Sequence, residues 1–159
     1  MDEISMKLDF VWAPYVVNLI DLMTDFETRK SCPNAMVMGD GLWDMLHFNS
    51  APNYEFALRI PIKSSSQLFW LRVSVMINGV LNTEEKREKM GDAMWHAYDR
   101  ALGVSKLLRQ TGHSLLLLDS QSLTWNCGPH CTSDGMHYDK TVYEVVVQIM
   151  LNTLLTQRL

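Results

Sequence analysis

The sequence has no long apolar run and no excess of basic residues. None of its segments reaches the about 18 consecutive apolar residues that a transmembrane helix needs, and these residues contain no basic segment followed by an apolar core, the mark of a targeting signal. Lysine and arginine number 14 against 18 aspartates and glutamates, which gives a net charge of −4. The chain therefore has no membrane span and lacks the clustered basic surface that nucleic-acid binding requires.

Internal repeats and composition shifts are also absent. The chain is 47% hydrophobic and 20% charged, an ordinary balance for a folded globular protein and far from that of a disordered one. We expect one domain, or slightly less than one, over residues 1–159.

Cysteine is scarce, and its odd number leaves at least one thiol without a partner in the chain. Cys127 and Cys131 lie four residues apart, and Cys32 stands alone. One reading is free thiols in a reducing compartment, and another is a short Cys127–Cys131 disulfide in an oxidising one. Zinc is a third reading, because Cys127, His130, Cys131 and His137 are suitable ligand types, but their spacing is not that of a tetrahedral site. We predict no metal.

The order of apolar patterns predicts an α/β fold. Segments rich in aromatic, aliphatic and β-branched residues predict four strands, at Leu8–Trp12, Ala35–Met38, Leu68–Val75 and Leu115–Leu118. Helical spacing predicts helices from Val16 to Phe26, around Tyr54 to Leu58, from Thr83 to Gly112 and from Val142 to Leu155. Such alternation implies a parallel sheet with helices on both faces, a three-layer α/β/α arrangement. Functional residues are then expected in the loops after Met38, Val75 and Leu118, at the carboxyl ends of the strands.

The loop after the fourth predicted strand contains an acid and a histidine three residues apart. Asp134 and His137 flank Gly135, which permits a tight turn. This spacing can bring a carboxylate to Nδ1 of the imidazole, fixing its tautomer and leaving Nε2 to act as a general base. The alternative is an aspartate that caps the last helix beside a surface histidine. The position before the C-terminal helix of an α/β protein favours the catalytic reading.

A second candidate segment, Gly39-Asp40-Gly41-Leu42-Trp43, ends the second predicted strand. Glycine here can let backbone N–H groups approach a developing oxyanion, and Trp43 can contact a substrate. The alternative is a simple turn, with Trp43 packed against the sheet. We therefore treat Gly39, Asp40 and Trp43 as candidate oxyanion or substrate-binding residues.

These residues together resemble a known family. The block Ser133-Asp134-Gly135-Met136-His137-Tyr138 before a terminal helix is similar to the last block of SGNH/GDSL-type hydrolases. It is most similar to the PC-esterase branch, which includes the plant trichome-birefringence-like polysaccharide O-acetyltransferases and the lumenal domain of the animal sialate O-acetyltransferase. The Gly39–Trp43 segment resembles that branch's strand-exit motif. Trp70 and a helix with Tyr98 and Asp99 follow in the expected order, so the resemblance covers nearly the whole chain.

The resemblance implies a flavodoxin-like SGNH fold and a Ser-His-Asp triad completed by Asp134 and His137. It also implies acyl transfer or ester hydrolysis on a glycan, an acyl donor, no cofactor, and a place in the Golgi lumen or secretory pathway. The G-D-S block that carries the serine is missing, because Gly39-Asp40-Gly41 has glycine in its place and Gly91-Asp92-Ala93 falls in a predicted helix. Asp40 or Gly41 also replaces the asparagine that usually donates to the oxyanion.

A missing first strand has a structural consequence. In the order 2-1-3-4-5 the first strand is central, so four strands matching the second to fifth would leave an empty slot. We therefore expect the chain to be the C-terminal portion of a longer domain and inactive by itself. The alternative is a non-catalytic remnant, an interaction domain that kept the fold and lost the nucleophile.

Overall fold

The computed structural model describes residues 7–30, 32–59, 66–105, 107 and 115–156. Ten helices and strands lie in these residues. In chain order they are α1 (Val16–Arg29), β1 (Ala35–Met38), α2 (Leu42–His47), α3 (Ala51–Ala57), β2 (Gln67–Leu71), α4 (Glu84–Lys89), α5 (Asp92–Val104), β3 (Leu115–Leu118), α6 (Ser120–Thr124) and α7 (Lys140–Thr156). Single 3-10 turns lie at Asn78–Val80 and Pro129–Cys131.

The three strands form one parallel sheet in the order β1-β2-β3. Met38 lies beside Trp70, which in turn lies beside Leu117. Parallel neighbours need crossover connections, and the helices between the strands provide them. The α/β prediction is thus confirmed, and the loops that follow Met38, Leu71 and Leu118 meet at one edge of the sheet.

Helices cover both faces of the sheet. Leu68 and Trp70 on β2 join the larger core, to which α1, α3 and α5 contribute, while Phe69 points to the opposite face and packs with Val146 of α7. All three strand residues are at most 2% exposed. A strand buried on both faces reads as a continuous apolar run, which explains the run Leu68-Phe69-Trp70-Leu71.

The strand predicted at Leu8–Trp12 is wrong for this structure. Residues 7–14 have no regular secondary structure, and Leu8, Phe10 and Trp12 are each more than 60% exposed. A strand forms only beside a partner, and none of the three described strands pairs with this segment. The three strands follow one another without a gap, so the predicted empty slot does not lie between any two of them. Among the described residues both outer edges of the sheet, that of β1 and that of β3, are unpaired.

The long helix predicted from Thr83 is divided into α4 and α5. Thr83 does cap α4, since its hydroxyl accepts the N–H of Lys86 at 3.2 Å. The helix then ends before Met90, which is 2% exposed, and α5 starts after Gly91. Glycine lowers helix propensity, and Gly91 lies so close to the backbone of Arg87 that a Cβ there would be 2.9 Å from the Arg87 carbonyl oxygen. Gly112, the predicted end of this helix, lies outside the described residues.

The other elements match the predictions more closely. β1 and β3 have the predicted bounds, and α1 and α7 extend the predicted helices by a few residues at their ends. The short helix predicted around Tyr54 forms as α3, with Ser50 as its cap. None of the described helices combines the length and apolar character that crossing a bilayer requires.

Candidate functional site

Asp134 and His137 form a direct side-chain pair after β3. Oδ2 of Asp134 lies 2.7 Å from Nδ1 of His137, and Oδ1 accepts the backbone N–H groups of Met136 and His137 at 3.0 and 2.8 Å. The carboxylate thus fixes both the turn and the ring. With Nδ1 hydrogen-bonded to a carboxylate, Nε2 of the neutral imidazole carries the lone pair that can accept a proton.

Exposure and charge of the pair suit a proton-transfer role. The His137 side chain is 66% exposed, whereas that of Asp134 is 22% exposed. Partial burial acts to raise the pKa of Asp134, but the hydrogen bonds from the His137 backbone, the His137 ring and the Met136 backbone outweigh it and lower the pKa to about 2. Asp134 is therefore ionised wherever an imidazole base can work, and it can stabilise the imidazolium that forms when His137 accepts a proton.

The turn that carries the pair is held on the loop after β2. Gly135 has φ +80°, a conformation natural to glycine, and its carbonyl accepts the N–H of Ile77 at 3.0 Å. The Thr132 hydroxyl accepts the N–H of Gly135 at 3.0 Å and donates to the carbonyl of His137 at 2.6 Å. These bonds close the turn from inside and leave the imidazole on its outer side.

Tyr138 and Thr124 add a second attachment. The Tyr138 hydroxyl donates to the carbonyl of Val75 at 2.8 Å, and the N–H of Val75 donates to the hydroxyl of Thr124 at 3.0 Å. Thr124 is fully buried. The segment from Val75 to Leu81 is thus fastened both to α6 and to the turn with His137.

A charged cluster ties together the ends of β2 and β3. Arg72, the first residue after β2, binds both carboxylate oxygens of Asp99 on α5, at 2.7 and 2.8 Å, and reaches Asp119 at 3.2 Å. Asp119 follows β3 directly and caps α6. A two-point arginine–carboxylate contact fixes orientation as well as distance. The cluster therefore sets the path of the chain towards Asp134. Asp99 lies on α5, the second part of the long helix predicted from Thr83.

The β1 exit loop brings two carboxyl groups together at the same edge of the sheet. Oδ1 of Asp40 accepts the N–H of Gly41 at 2.6 Å, and Oδ2 is buried with no hydrogen-bond donor among the described residues. A protonated Asp40 can instead donate to Asp44, which is 4% exposed and accepts the N–H of Val16 at 3.0 Å. Two carboxyl groups can share a hydrogen bond only if one of them holds a proton.

Asp40 is the group that holds it. Burial, then the negative charge of Asp44, then the hydrogen bond to Asp44 raise the pKa of Asp40 to about 8, against the lowering effect of the Gly41 N–H. The engagement of the Gly41 N–H by Asp40 also means that this donor is already used in the present arrangement. The oxyanion role considered for Gly39 and Asp40 stays a prediction. It would require a backbone N–H of this loop other than that of Gly41 to donate to the oxyanion.

Asp40 should make stability pH-dependent in a direction opposite to that of an ordinary paired carboxylate. Between about pH 4 and pH 8 the folded protein holds a proton that the unfolded chain has released, so the free energy of unfolding falls as pH rises through this window and levels off above it. In Asp40→Asn the amide can keep the Gly41 contact and donate to Asp44 without titrating. We expect Asp40→Asn to raise the free energy of unfolding at pH 8 by at least about 1 kcal/mol. This energy corresponds to removing less than one unit of the upward pKa shift of Asp40.

Urea unfolding between pH 5 and pH 9 measures this effect. The matched control is Asp21→Asn, which removes one carboxylate from the exposed side of α1. A variant at Asp40 that keeps the pH slope of the parent protein would show that Asp40 is ionised at neutral pH.

Trp43 does not pack against the sheet. It lies at the start of α2, is 42% exposed, stacks on His47 at 5.1 Å with 12° between the ring planes, and meets Trp12 edge-on at 5.9 Å. Asp40 and Trp43 therefore occupy the exit of β1, whereas Asp134 and His137 follow β3. The two strands are separated by β2, a distance of about 10 Å at the usual strand spacing.

Cys127 and Cys131 form a disulfide, with their Cα atoms 5.8 Å apart, and Cys32 is free. Oxidised sulfurs cannot bind zinc as thiolates, so the zinc reading of Cys127, His130, Cys131 and His137 does not fit this arrangement. No cluster of three potential ligands was found within the described residues.

The fold and site define an α/β protein with a carboxylate-oriented, exposed histidine at the carboxyl edge of a parallel sheet. Over an alignment of 176 residues the chain is 51% identical to Protein Altered Xyloglucan 9 of Arabidopsis thaliana, and the match includes 98% of the chain. The chain spans about half of that protein, 48% of its length. This level of identity shows that the two share ancestry. No protein-family model matches the chain. No solved structure matches it with significance.

Proposed function

We propose that this chain supplies the His-Asp part of a Ser-His-Asp acyl-transfer site of the SGNH type, in an enzyme that acts on glycan hydroxyls or their acetyl esters. The observation that carries the proposal is the 2.7 Å contact between Asp134 Oδ2 and His137 Nδ1, on a turn fastened to the carboxyl edge of the sheet. The shared ancestry with Altered Xyloglucan 9 supports the resemblance to the plant polysaccharide O-acetyltransferases, since that protein's name refers to a plant cell-wall polysaccharide.

In this reaction Nε2 of His137 removes the proton from a serine hydroxyl as its oxygen attacks the acyl carbonyl carbon. The bond between the carbonyl carbon and the leaving oxygen then breaks, and that oxygen takes the proton from His137. A sugar hydroxyl next attacks the acyl-serine while His137 accepts its proton, and the serine oxygen leaves and recovers a proton. Water as the acceptor gives hydrolysis instead. Asp134 stabilises the positive imidazolium in both halves.

The serine must come from outside these 159 residues, because none of their Gly-Asp pairs is followed by serine. The unpaired edge of β1 offers a place for a strand that would bring it. A strand there would pair with β1 on one side. Its carboxyl end would lie beside the Gly39–Trp43 loop, on the edge of the sheet where His137 is found.

This arrangement also accounts for exposed apolar groups near the edge. Val37 lies on the same face as the buried Phe69 yet is 49% exposed, and α7, which covers that face, has exposed apolar side chains on both flanks of its buried stripe, among them Val145, Val147 and Ile149. Soluble proteins cover such surface. We further propose a location in the secretory pathway, where the Cys127–Cys131 disulfide would be stable.

A comparison of two proteins tests the function. The first is the 159-residue chain, and the second is a longer polypeptide that contains it together with an upstream Gly-Asp-Ser segment. Both are incubated with an activated acetyl ester and with an acceptor glycan. We expect hydrolysis or transfer from the longer protein and only the background rate from the chain alone. Full folding of the longer protein without turnover would instead support the non-catalytic remnant.

A further inference from the structure

Six aromatic rings form a continuous strip beside the β1 exit. We name this set the aromatic strip: Phe10, Trp12, Tyr15, Trp43, His47 and Phe48. Each ring contacts the next, with centroid separations from 5.0 to 6.4 Å, in the order Phe10, Trp12, Trp43, His47, Tyr15, Phe48. Three elements contribute to it, namely the irregular segment 7–14, the residue before α1, and α2 with the residue that follows it.

The strip is solvent-exposed and is not part of the core. Phe10 is 83% exposed, Trp12 63%, Phe48 57% and Trp43 42%. Large rings gain most of their stabilisation from burial, so a run of contacting rings left in water is unusual in a soluble protein and marks a binding surface. The rings also hold one another in place, which leaves little ordering entropy to be lost when a ligand binds.

The position of the strip connects it to the candidate active site. Trp43 follows Asp40 by three residues and is the second residue of α2, which begins directly after the β1 exit loop. The strip therefore comes close to the carboxyl edge of the sheet at Trp43, its third ring. A long substrate held on the strip would pass that edge.

Charge distinguishes between possible ligands. Two ion pairs lie beside the strip, each neutral as a pair: Lys7 with Asp9 at 2.9 Å, and Glu85, which is near His47, with Lys89 at 2.7 Å. A surface with flat rings and balanced charge suits a neutral ligand that has apolar faces and polar edges. Pyranose rings have that character, and the ring separations in the strip are comparable to the length of one sugar residue.

We propose that the aromatic strip binds a neutral polysaccharide, with successive sugar rings stacked on Trp12, Trp43 and their neighbours. This inference rests on the proposed function for its choice of a glycan ligand, but binding and chemistry depend on different residues. The indole N–H groups and the His47 ring at the edges of the strip provide hydrogen-bonding groups for sugar hydroxyls.

Calorimetric titration of the 159-residue chain with soluble xyloglucan tests the proposal, with polygalacturonate as the acidic comparison. We expect xyloglucan to bind and polygalacturonate to bind at least tenfold more weakly. Trp12→Ala and Trp43→Ala should each weaken xyloglucan binding about tenfold, equivalent to about 1.4 kcal/mol. Trp125→Ala is the control, because Trp125 is similarly exposed, at 60%, but lies outside the strip.

Two further variants keep the result interpretable. Phe10→Ala changes the most exposed ring of the strip and should weaken binding without affecting the fold, which thermal unfolding checks. His130→Ala should bind xyloglucan like the parent chain, since His130 is exposed and lies outside the strip; the titration records binding and not turnover, so a failure of the catalytic proposal would not alter it. The strip proposal is overturned if the parent chain does not bind, if the strip variants bind as well as the parent, or if Trp125→Ala has the same effect.

Discussion

Replacing His137 with alanine in the longer, serine-containing protein should lower kcat about a thousandfold or more. Asp134 holds Nδ1 of the ring, so Nε2 is the nitrogen that can take the proton from the serine. Without the imidazole, the serine hydroxyl keeps its proton at neutral pH and is a poor nucleophile. Losses of this order or larger follow removal of the base from other triads.

Asp134→Asn tests the orientation and tautomer of the His137 ring without disrupting the turn that carries it. The amide oxygen can still accept the N–H groups of Met136 and His137, which keeps the turn, but the amide nitrogen can only donate to the ring. His137 would then carry its proton on Nε2, the wrong tautomer for a base. We expect kcat to fall about as far as in His137→Ala, with KM for the acyl donor little changed, as steady-state kinetics will show.

His130→Ala is the matched control for both variants. His130 lies on the same loop, is exposed and takes no part in the Asp134–His137 pair, so its loss should change kcat less than twofold. If His137→Ala retained most of the parent activity, the base would have to be another group and the proposed triad would be wrong.

The low pKa of Asp134 gives the pair a pH signature of its own. A carboxylate whose pKa is about 2 when folded and 3.8 in its ordinary state stabilises the protein above about pH 4. That contribution is lost as pH falls from 4 towards 2. Asp40 acts in the opposite sense and at higher pH, so the two carboxyl groups together favour maximum stability in the mildly acidic range.

Local patterns predicted those parts of the fold that depend on local chemistry. β1 and β3 are short apolar runs between turn residues, and their predicted bounds agree with the structure. β2 was predicted to reach Val75, but it ends at Leu71 because its neighbours end at Met38 and Leu118 and leave Val73 to Val75 with no strand to pair with. The end of a strand is set by the strands beside it, and that information is not in its own sequence.

The candidate site shows the same division. Asp134 and His137 are three residues apart, so their contact could be predicted from spacing alone. The Arg72–Asp99 pair joins residues 27 positions apart and depends on how α5 packs on the sheet. Asp40 and Asp44 are four apart, a spacing that could have suggested a shared helix face, but Asp40 lies outside α2 and its burial became clear only from the fold.

Gly135→Ala should be the most destabilising small substitution in the loop that carries the site. Residue 135 has φ +80°, which costs a residue with a side chain about 1–2 kcal/mol. A Cβ would also lie 2.7 Å from the carbonyl oxygen of Ile77 and 3.1 Å from Leu81. Because the Ile77 contact is with backbone, a rotamer change cannot relieve it. We expect a total cost of about 2–4 kcal/mol, or a fall in Tm of roughly 5–15 °C for a protein of this size.

Gly79→Ala tests whether the effect belongs to the position or to glycine replacement in general. Gly79 lies in the neighbouring turn, and a Cβ there would meet nothing within 4 Å, so its stability should stay within about 0.5 kcal/mol of the parent value. Thermal and urea unfolding of the two variants give the comparison. Equal stability would mean that the turn can move away from Ile77 at little cost.

Activity adds a second readout to the same pair of variants. The turn can escape the clash only by moving away from Ile77, and the bond from Ile77 N–H to the Gly135 carbonyl, 3.0 Å long, is then broken. Asp134 and His137 would move together as one hydrogen-bonded unit, so their mutual contact would survive while their position over the sheet changes. In the longer protein kcat for Gly135→Ala should therefore fall even well below its Tm, because a shift of about 1 Å in a catalytic group can cost a hundredfold in rate.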